Sequence, residues 1–195
     1  QLTPTAQAIG AVNTIVSKNG ALTGDNTDAP GFLHDLERLI GEEDQGDGHA
    51  LILGAGGSAK AVAYALYNAG WEVTVAARRI EQAQALARRY AFSTAAFELP
   101  EAGPFTLIIN TTPLGMTPNE HTSPWPIGRP LPPNAAVYDL VYNPSETKLV
   151  REARAAGLRA ATGAGMLIEQ AALSFETWTG CSPPRAAIMD AMRQR

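Results

Sequence analysis

The chain has 195 residues, 45% hydrophobic and 17% charged, with 18 glycines and 14 prolines, a balance that fits a folded globular protein and excludes a disordered or collagen-like one. Its 15 basic and 19 acidic residues leave a net charge of -4, which supplies no field to hold a nucleic-acid backbone. The longest apolar runs, Ala50 to Ala55 and Leu107 to Ile109, fall far short of the roughly 18 residues that cross a bilayer, and the single Cys181 cannot form an internal disulfide, which predicts the cytoplasm.

The chain opens at Gln1 with neither a methionine nor the charged and apolar regions of a signal peptide, so a piece of a longer protein is expected. Val12 to Val16 reads as a strand closed by the turn pair Asn19-Gly20. Asp28, Pro30 and Gly31 precede Phe32, Leu33, Leu36, Leu39 and Ile40, whose spacing predicts an amphipathic helix ending at Gly41. Glu42 to Gly48 reads as a polar linker. His49 to Leu53 is then a short apolar run stopped by glycines, and Ala61, Val62, Ala65, Leu66 and Ala69 mark a helix ended by Gly70. Glu72 to Ala76 alternates as a second strand, and a second helix through Ala83, Leu86, Ala87 and Tyr90 leads to Phe92 to Phe97.

Further on, Phe105 to Ile109 and Ala136 to Leu140 are buried-strand candidates, separated by a Pro-rich segment, Pro113 to Pro133, too long for an ordinary connection and so a candidate functional loop. Helix Glu146 to Ala156, strand Leu158 to Thr162, helix Met166 to Trp178 and a short helix Pro184 to Met192 complete the pattern. Strands alternating with helices predict an α/β fold, a Rossmann-like doubly wound parallel sheet.

Gly54-Ala55-Gly56-Gly57-Ser58-Ala59 fits G-x-G-x-x-G/A between a predicted strand and a helix. Gly54 permits the tight turn, Gly56 lets a pyrophosphate approach the backbone, and Ala59 allows close helix packing. A glycine turn that binds nothing is the bland alternative. NAD binders usually carry an acidic residue about 20 positions further on for the ribose hydroxyl. Here the second strand runs into Ala76-Ala77-Arg78-Arg79, and two guanidiniums without a carboxylate suit a 2′-phosphate. NADP is therefore the expected cofactor. Solvated arginines at a helix start are the alternative, though they oppose the helix dipole.

Four further segments, Ile9-Gly10-Ala11-Val12-Asn13-Thr14, Gly24-Asp25-Asn26-Thr27-Asp28, Asn110-Thr111-Thr112-Pro113-Leu114-Gly115-Met116 and Gly163-Ala164-Gly165-Met166-Leu167 with Gln170-Ala171, join the glycine turn in an order and spacing that resembles the shikimate dehydrogenase family from Leu2 to about Pro183. The resemblance implies NADPH-dependent reduction of 3-dehydroshikimate to shikimate in aromatic amino-acid biosynthesis. It implies that Asn13 and Asp28 bind the substrate hydroxyls, with Asp28 also catalytic, and that Tyr142 and Gln170 close the site. It makes Gly54, Ala55, Gly56, Gly57, Ser58, Ala77, Arg78, Arg79, Leu140 and Gly163 the NADP contacts.

These residue types suit the chemistry independently. Amides both donate and accept and so can read a polyol, and ketone reduction requires an acid at the oxygen. Taken without the family, Asp28 reads first as the N-cap of the following helix, and Asn13, Gln170 and Tyr142 as ordinary polar or half-buried residues.

The family pattern also implies a lysine paired with the aspartate, upstream of Ile9-Gly10-Ala11-Val12-Asn13-Thr14, and an N-terminal serine motif. The lysines here are Lys18, Lys60 and Lys148, none of them upstream of Asn13. The sequence thus predicts residues 1–24 as the remnant of a second α/β substrate domain, 25–183 as an NADP-binding Rossmann domain with its linking helix, and 184–195 as a helix returning toward the substrate domain. A fragment of this kind is expected to expose an apolar patch and to bind NADP with little turnover. About 70 to 100 upstream residues carrying the serines and the lysine would restore the enzyme. Two alternatives stand beside this reading: a quinate/shikimate dehydrogenase using NAD, and a non-catalytic NADP-binding module. A homodimer is compatible with this reading.

Overall fold

The structure is a computed structural model that describes residues 1–41, 48–97 and 103–193; the expected linker at Glu42 to Gly48 lies outside these except for its last residue. Helix α1 (Pro4–Ile9) precedes an antiparallel hairpin of β1 (Thr14–Lys18) and β2 (Ala21–Asp25), in which Lys18 pairs with Ala21 and Thr14 with Asp25. Asn19 (φ 50°) and Gly20 (φ 77°) form its two-residue turn, the geometry that matches the twist of the flanking strands. The predicted strand thus starts two residues later than expected, and a second strand follows it. Thr3 caps α1 by accepting the Ala6 N–H at 3.2 Å, Pro4 opens it and Gly10 ends it in the left-handed region.

Helix α2 (Asp28–Ile40) leads to the large sheet, formed by β3 (His49–Leu53), β4 (Glu72–Ala77), β5 (Ser93–Ala96), β6 (Leu107–Asn110), β7 (Ala136–Asp139) and β8 (Ala160–Thr162). All neighbours pair in parallel, in the order β5-β4-β3-β6-β7-β8. The chain starts at β3, winds out to β5, and then crosses back to β6 and on to β8. The direction of winding therefore reverses between β3 and β6, where a ligand crevice opens at the strands' C-terminal ends. β6 and β7 are buried at every position, so they read as unbroken apolar runs rather than alternating ones.

Helices α3 (Gly57–Asn68), α4 (Ile80–Tyr90), α2 and α6 (Ala164–Thr179) cover one face of the sheet, joined in one core through Phe32, Leu36, Ile52, Val62, Leu66, Val75, Ile109 and Tyr138. The other face packs on α5 (Lys148–Ala155) through Leu149 and Ala153, and on the Pro-rich segment through Trp125. Trp125 is 5% exposed, and its Nε1–H donates to the Arg129 carbonyl at 3.0 Å. Much of that segment is therefore a cover for the second sheet face, doing without regular structure what a helix does on the first. Helix α7 (Arg185–Arg193) rests on α6, and no helix among the described residues is long and apolar enough to cross a membrane. Leu2, Val12, Ile15 and Leu22 around the hairpin, and Trp178 at the end of α6, stand exposed.

The tightest helix contact joins α2 to α6. A Cβ at Gly31 would lie 2.8 Å from the Gln170 backbone nitrogen, which cannot move without moving α6. Gly31→Ala is therefore expected to cost about 1 to 3 kcal/mol of stability in chemical denaturation. An unchanged denaturation midpoint would show that the two helices are free to separate.

Candidate active site

The glycine turn after β3 meets the loop after β6. Gly54 has φ +111°, its N–H donates to the Ala76 carbonyl at 2.8 Å, and a Cβ on it would fall 2.5 Å from Thr111 Oγ1. Thr111 is itself held there by its N–H and hydroxyl, both donated to the Leu53 carbonyl. Gly54 is thus fixed by conformation and by space, whereas Gly56 has nothing within 4 Å of where its Cβ would stand. Gly57 opens α3, with its backbone amide among those that the helix leaves without a partner.

A cavity of about 160 Å³ lies over this turn, lined by Gly54, Ala55, Gly56, Ala77, Arg78 and Arg79 and also by Gln82, Phe97, Thr111, Thr112 and Pro113. Arg78 and Arg79 are exposed, no acidic side chain among the described residues pairs with them, and none lines the cavity. A wider groove of about 520 Å³ continues past Gly57 to Lys60 and Arg89, which adds two cations not singled out by the motif.

A second cavity, of about 240 Å³, brings together Asn13, Asp28, Tyr142 and Gln170 with Ser58, Leu140 and Gly163; Met166 and Leu167 complete it. Asn13 Nδ2 donates to Asp28 Oδ1 at 2.8 Å and reaches Gln170 Oε1 at 3.5 Å. Tyr142 is half exposed at its mouth. A Cβ at Gly163 would overlap the Leu140 carbonyl oxygen at 2.2 Å, so these two backbones touch across the cavity wall.

Asp28 does not cap its helix. It is the first residue of α2, and the cap falls to Asn26, whose Oδ1 accepts the N–H of Asp28 at 3.1 Å and of Ala29 at 3.3 Å. Because Asn26 satisfies those donors, the Asp28 carboxylate is turned to Asn13. Burial raises its proton affinity, and the Asn13 hydrogen bond opposes that rise. None of the lysines approaches: Lys18 ends β1, Lys60 lines the basic groove, and Lys148 is 3.8 Å from Glu152 in α5.

The two cavities are tied together by a buried pair, of which the Asn110-to-Met116 motif holds one member and says nothing of its partner. Asn110 ends β6 and Asp139 ends β7, register partners in neighbouring parallel strands. Asn110 Nδ2 donates to Asp139 Oδ1 at 2.8 Å, and Asn110 Oδ1 accepts the Thr112 N–H and hydroxyl at 2.8 and 2.7 Å. Asp139 in turn accepts the Val141 N–H at 3.0 Å and the Thr147 hydroxyl at 2.7 Å. One contact thereby fixes the Thr111–Pro113 wall of the first cavity and the Leu140–Tyr142 wall of the second. The signal in the sequence was a polar residue at the end of each of two apolar runs.

Residues 38–103 match the family described as shikimate / quinate 5-dehydrogenase, and residues 163–193 match the shikimate 5′-dehydrogenase C-terminal domain. The shikimate dehydrogenase (NADP+) of Salinibacter ruber is 42% identical, aligned over 99% of this chain and 72% of its own length. A crystal structure of a shikimate dehydrogenase in complex with NADP+ superposes with a TM-score of 0.91 at 36% identity, covering 99% of this chain and 69% of that one. The Thermus thermophilus enzyme in complex with NADP(H) and shikimate gives 0.89 at 42% identity, over 99% and 71%.

Asp139 makes a pH dependence measurable. Burial outweighs the hydrogen bonds from Thr147, Val141 and Asn110 and lifts its pKa from 3.8 to about 6. Between those two values the unfolded chain has released the proton that the folded chain still holds. Stability from this group is thus full below pH about 4 and is lost as pH rises through about 6, on the order of 3 kcal/mol in all. Denaturation curves at stepped pH should show this fall, and Asp139→Asn should remove it. A slope that survives the substitution would assign it to other groups.

Proposed function

The chain belongs to the shikimate dehydrogenase family, and we propose that it serves the NADP-dependent, reversible reduction of 3-dehydroshikimate to shikimate, a step of aromatic amino-acid biosynthesis, in the cytoplasm. The observation that carries this reading is the meeting of Asn13, Asp28, Tyr142 and Gln170 with Ser58, Leu140 and Gly163 in one cavity beside the glycine turn.

The residues present suit a 2′-phosphorylated dinucleotide. Open space at Gly56 leaves room for a pyrophosphate against the first amides of α3, from Gly54 to Ser58. Arg78 and Arg79, with no acidic partner among the described residues, would take the 2′-phosphate through charge-assisted bonds, and Ala77 leaves room beside them. Leu140 and Gly163, in the wall shared with Asp28 and Tyr142, would hold the same cofactor. When bound, NADPH would supply the hydride for the carbonyl carbon.

The chain's own side chains do the rest. Asn13 and Gln170 amides pair with the substrate's hydroxyls, which an analogue lacking them would leave unsatisfied. Asp28 hydrogen-bonds the same ring and holds a proton near the carbonyl oxygen, a task that its raised proton affinity favours. Tyr142 limits water at the mouth.

In this reading residues 1–24 belong to the substrate-binding domain, 25–183 form the NADP-binding domain with its linking helix, and 184–195 return toward the substrate domain. Asp28 works with a lysine that the 195 residues do not supply, so they bind NADP and turn over little shikimate alone. Calorimetric titration with NADP followed by a dehydrogenase assay tests both halves. Binding without turnover is expected, and robust turnover would refute the need for the lysine. Replacing Arg78 and Arg79 together by alanine should weaken NADP by about 2 to 5 kcal/mol and leave NAD little changed. Equal loss for both cofactors would overturn the 2′-phosphate assignment.

A further inference from the structure

Three buried hydroxyls from three elements lie behind Asn13, and the reaction as proposed uses none of them. Thr14 opens β1, Thr27 directly precedes α2, and Ser174 belongs to α6; they are 1%, 4% and 5% exposed. Ser174 Oγ stands 2.6 Å from Thr14 Oγ1 and 3.0 Å from Thr27 Oγ1, and it donates to the Gln170 carbonyl at 2.9 Å. A hydroxyl has one hydrogen to give. With that of Ser174 committed to a carbonyl, which can only accept, Ser174 Oγ accepts from the two threonine hydroxyls, which lie nearer to it than the 3.1 and 3.3 Å that separate Thr14 and Thr27 from their other acceptor, Asn13 Oδ1.

Thr27 Oγ1 then turns a lone pair to Asn13, whose Nδ2 donates to it at 2.9 Å. At the opposite end of the amide, Asn13 Oδ1 accepts the Thr27 backbone N–H at 2.9 Å, a donor that cannot reverse. The amide is held at both ends. Its remaining N–H falls on Asp28 Oδ1.

We propose that Ser174 is a positioning residue, which gives this hydroxyl chain its direction and thereby keeps the Asn13 N–H on Asp28. The value of that arrangement rests on Asp28 handling the proton of the reaction, as proposed. The groups that face Asp28 are Asn13 beside the hairpin, Ser58 from α3, Gln170 from α6 and Tyr142 after β7, of which Tyr142 alone is titratable. Asp25, at the end of β2, is engaged by the Thr3 hydroxyl and the Asn26 N–H instead. With no charged side chain other than Asp28 itself among the described residues that line the cavity, the Asn13 N–H is the chief group that opposes the effect of burial on this carboxyl.

The Asp28 carboxyl carbon can be followed by NMR through a pH titration of the whole chain. Ser174→Ala should move its midpoint upward by about half a unit or more, because the Thr27 hydroxyl then turns to Asn13 Oδ1, 3.3 Å away, and its lone pair swings off the Nδ2 that it steadies beside Asp28. Ser174→Cys, with a weaker acceptor of similar size, should give a smaller rise and decides the matter should the alanine variant not fold. A fastening of α6 with no further role would lower the melting temperature and leave the midpoint in place. An unmoved midpoint therefore overturns the proposal. The titration requires neither cofactor nor turnover, so a failure of the dehydrogenase reading would show in the assay and leave this measurement intact.

Discussion

The hydrogen bond between Asn110 and Asp139 is the constraint on which the site depends. Parallel pairing brings the ends of β6 and β7 side by side, and each end must release its chain into a loop whose backbone groups have left the ladder. Side chains take over that duty: Asn110 satisfies Thr112, and Asp139 satisfies Val141 and Thr147. The walls of both cavities are set by one buried contact, so neither can shift without the other. A buried carboxylate with a raised pKa is the cost, and it falls where the loops diverge rather than in the middle of a strand.

The two cavities divide the charge. Over the glycine turn stand guanidiniums with no acidic partner among the described residues, a surface that repels cations and attracts phosphate. Around Asp28 the wall is neutral amide, phenol and backbone, so one carboxylate faces no competing charge. A polyanion is thereby drawn to the first surface and kept from the lone carboxylate of the second by electrostatics alone, before any shape is read. Ser58 and Gly56 lie two residues apart on the same turn and face different cavities, which is how so small a chain brings the two surfaces together.

What the sequence made legible follows from how far each signal reaches. The period change from β3 to α3 and the glycines between them are local, and the strand, turn and helix stand where those signals place them. Helix α1 has the signal of Thr3-Pro4 and Gly10, but its six residues are too few for periodicity to show. Strand β2, exposed at Ala21 and Leu22, carries no alternation that a strand would need to stand out. The cap of α2 shows a limit of a different kind: Asn26, Thr27 and Asp28 are all capping types, and only the third dimension tells which of them is free to turn to Asn13. Asn110 and Asp139 are 29 residues apart, and Thr14 and Ser174 are 160 apart. Contacts at that distance are products of sheet order and helix docking, which no window of sequence contains.

Helix α6 shows why docking had to be this specific. Gln170 and Ser174, one turn apart, face the hairpin and Asp28, while the neighbouring Glu169 is buried on another side between Arg38 of α2 and Arg185 of α7. Burial pulls the Glu169 carboxyl upward, yet the two guanidiniums outweigh it and hold it below the usual carboxylate range. Such a buried pair adds little net stability over an apolar replacement, but rotating the helix would strand a charge away from both partners. The ion pairs thus fix the rotation of α6, and the close approach at Gly31 fixes its distance from α2. With rotation and distance both set, the Gln170 amide and the Ser174 hydroxyl arrive at Asn13 as a consequence of packing on the far side of the helix. The chemistry of the cavity is thereby built on contacts that never touch it.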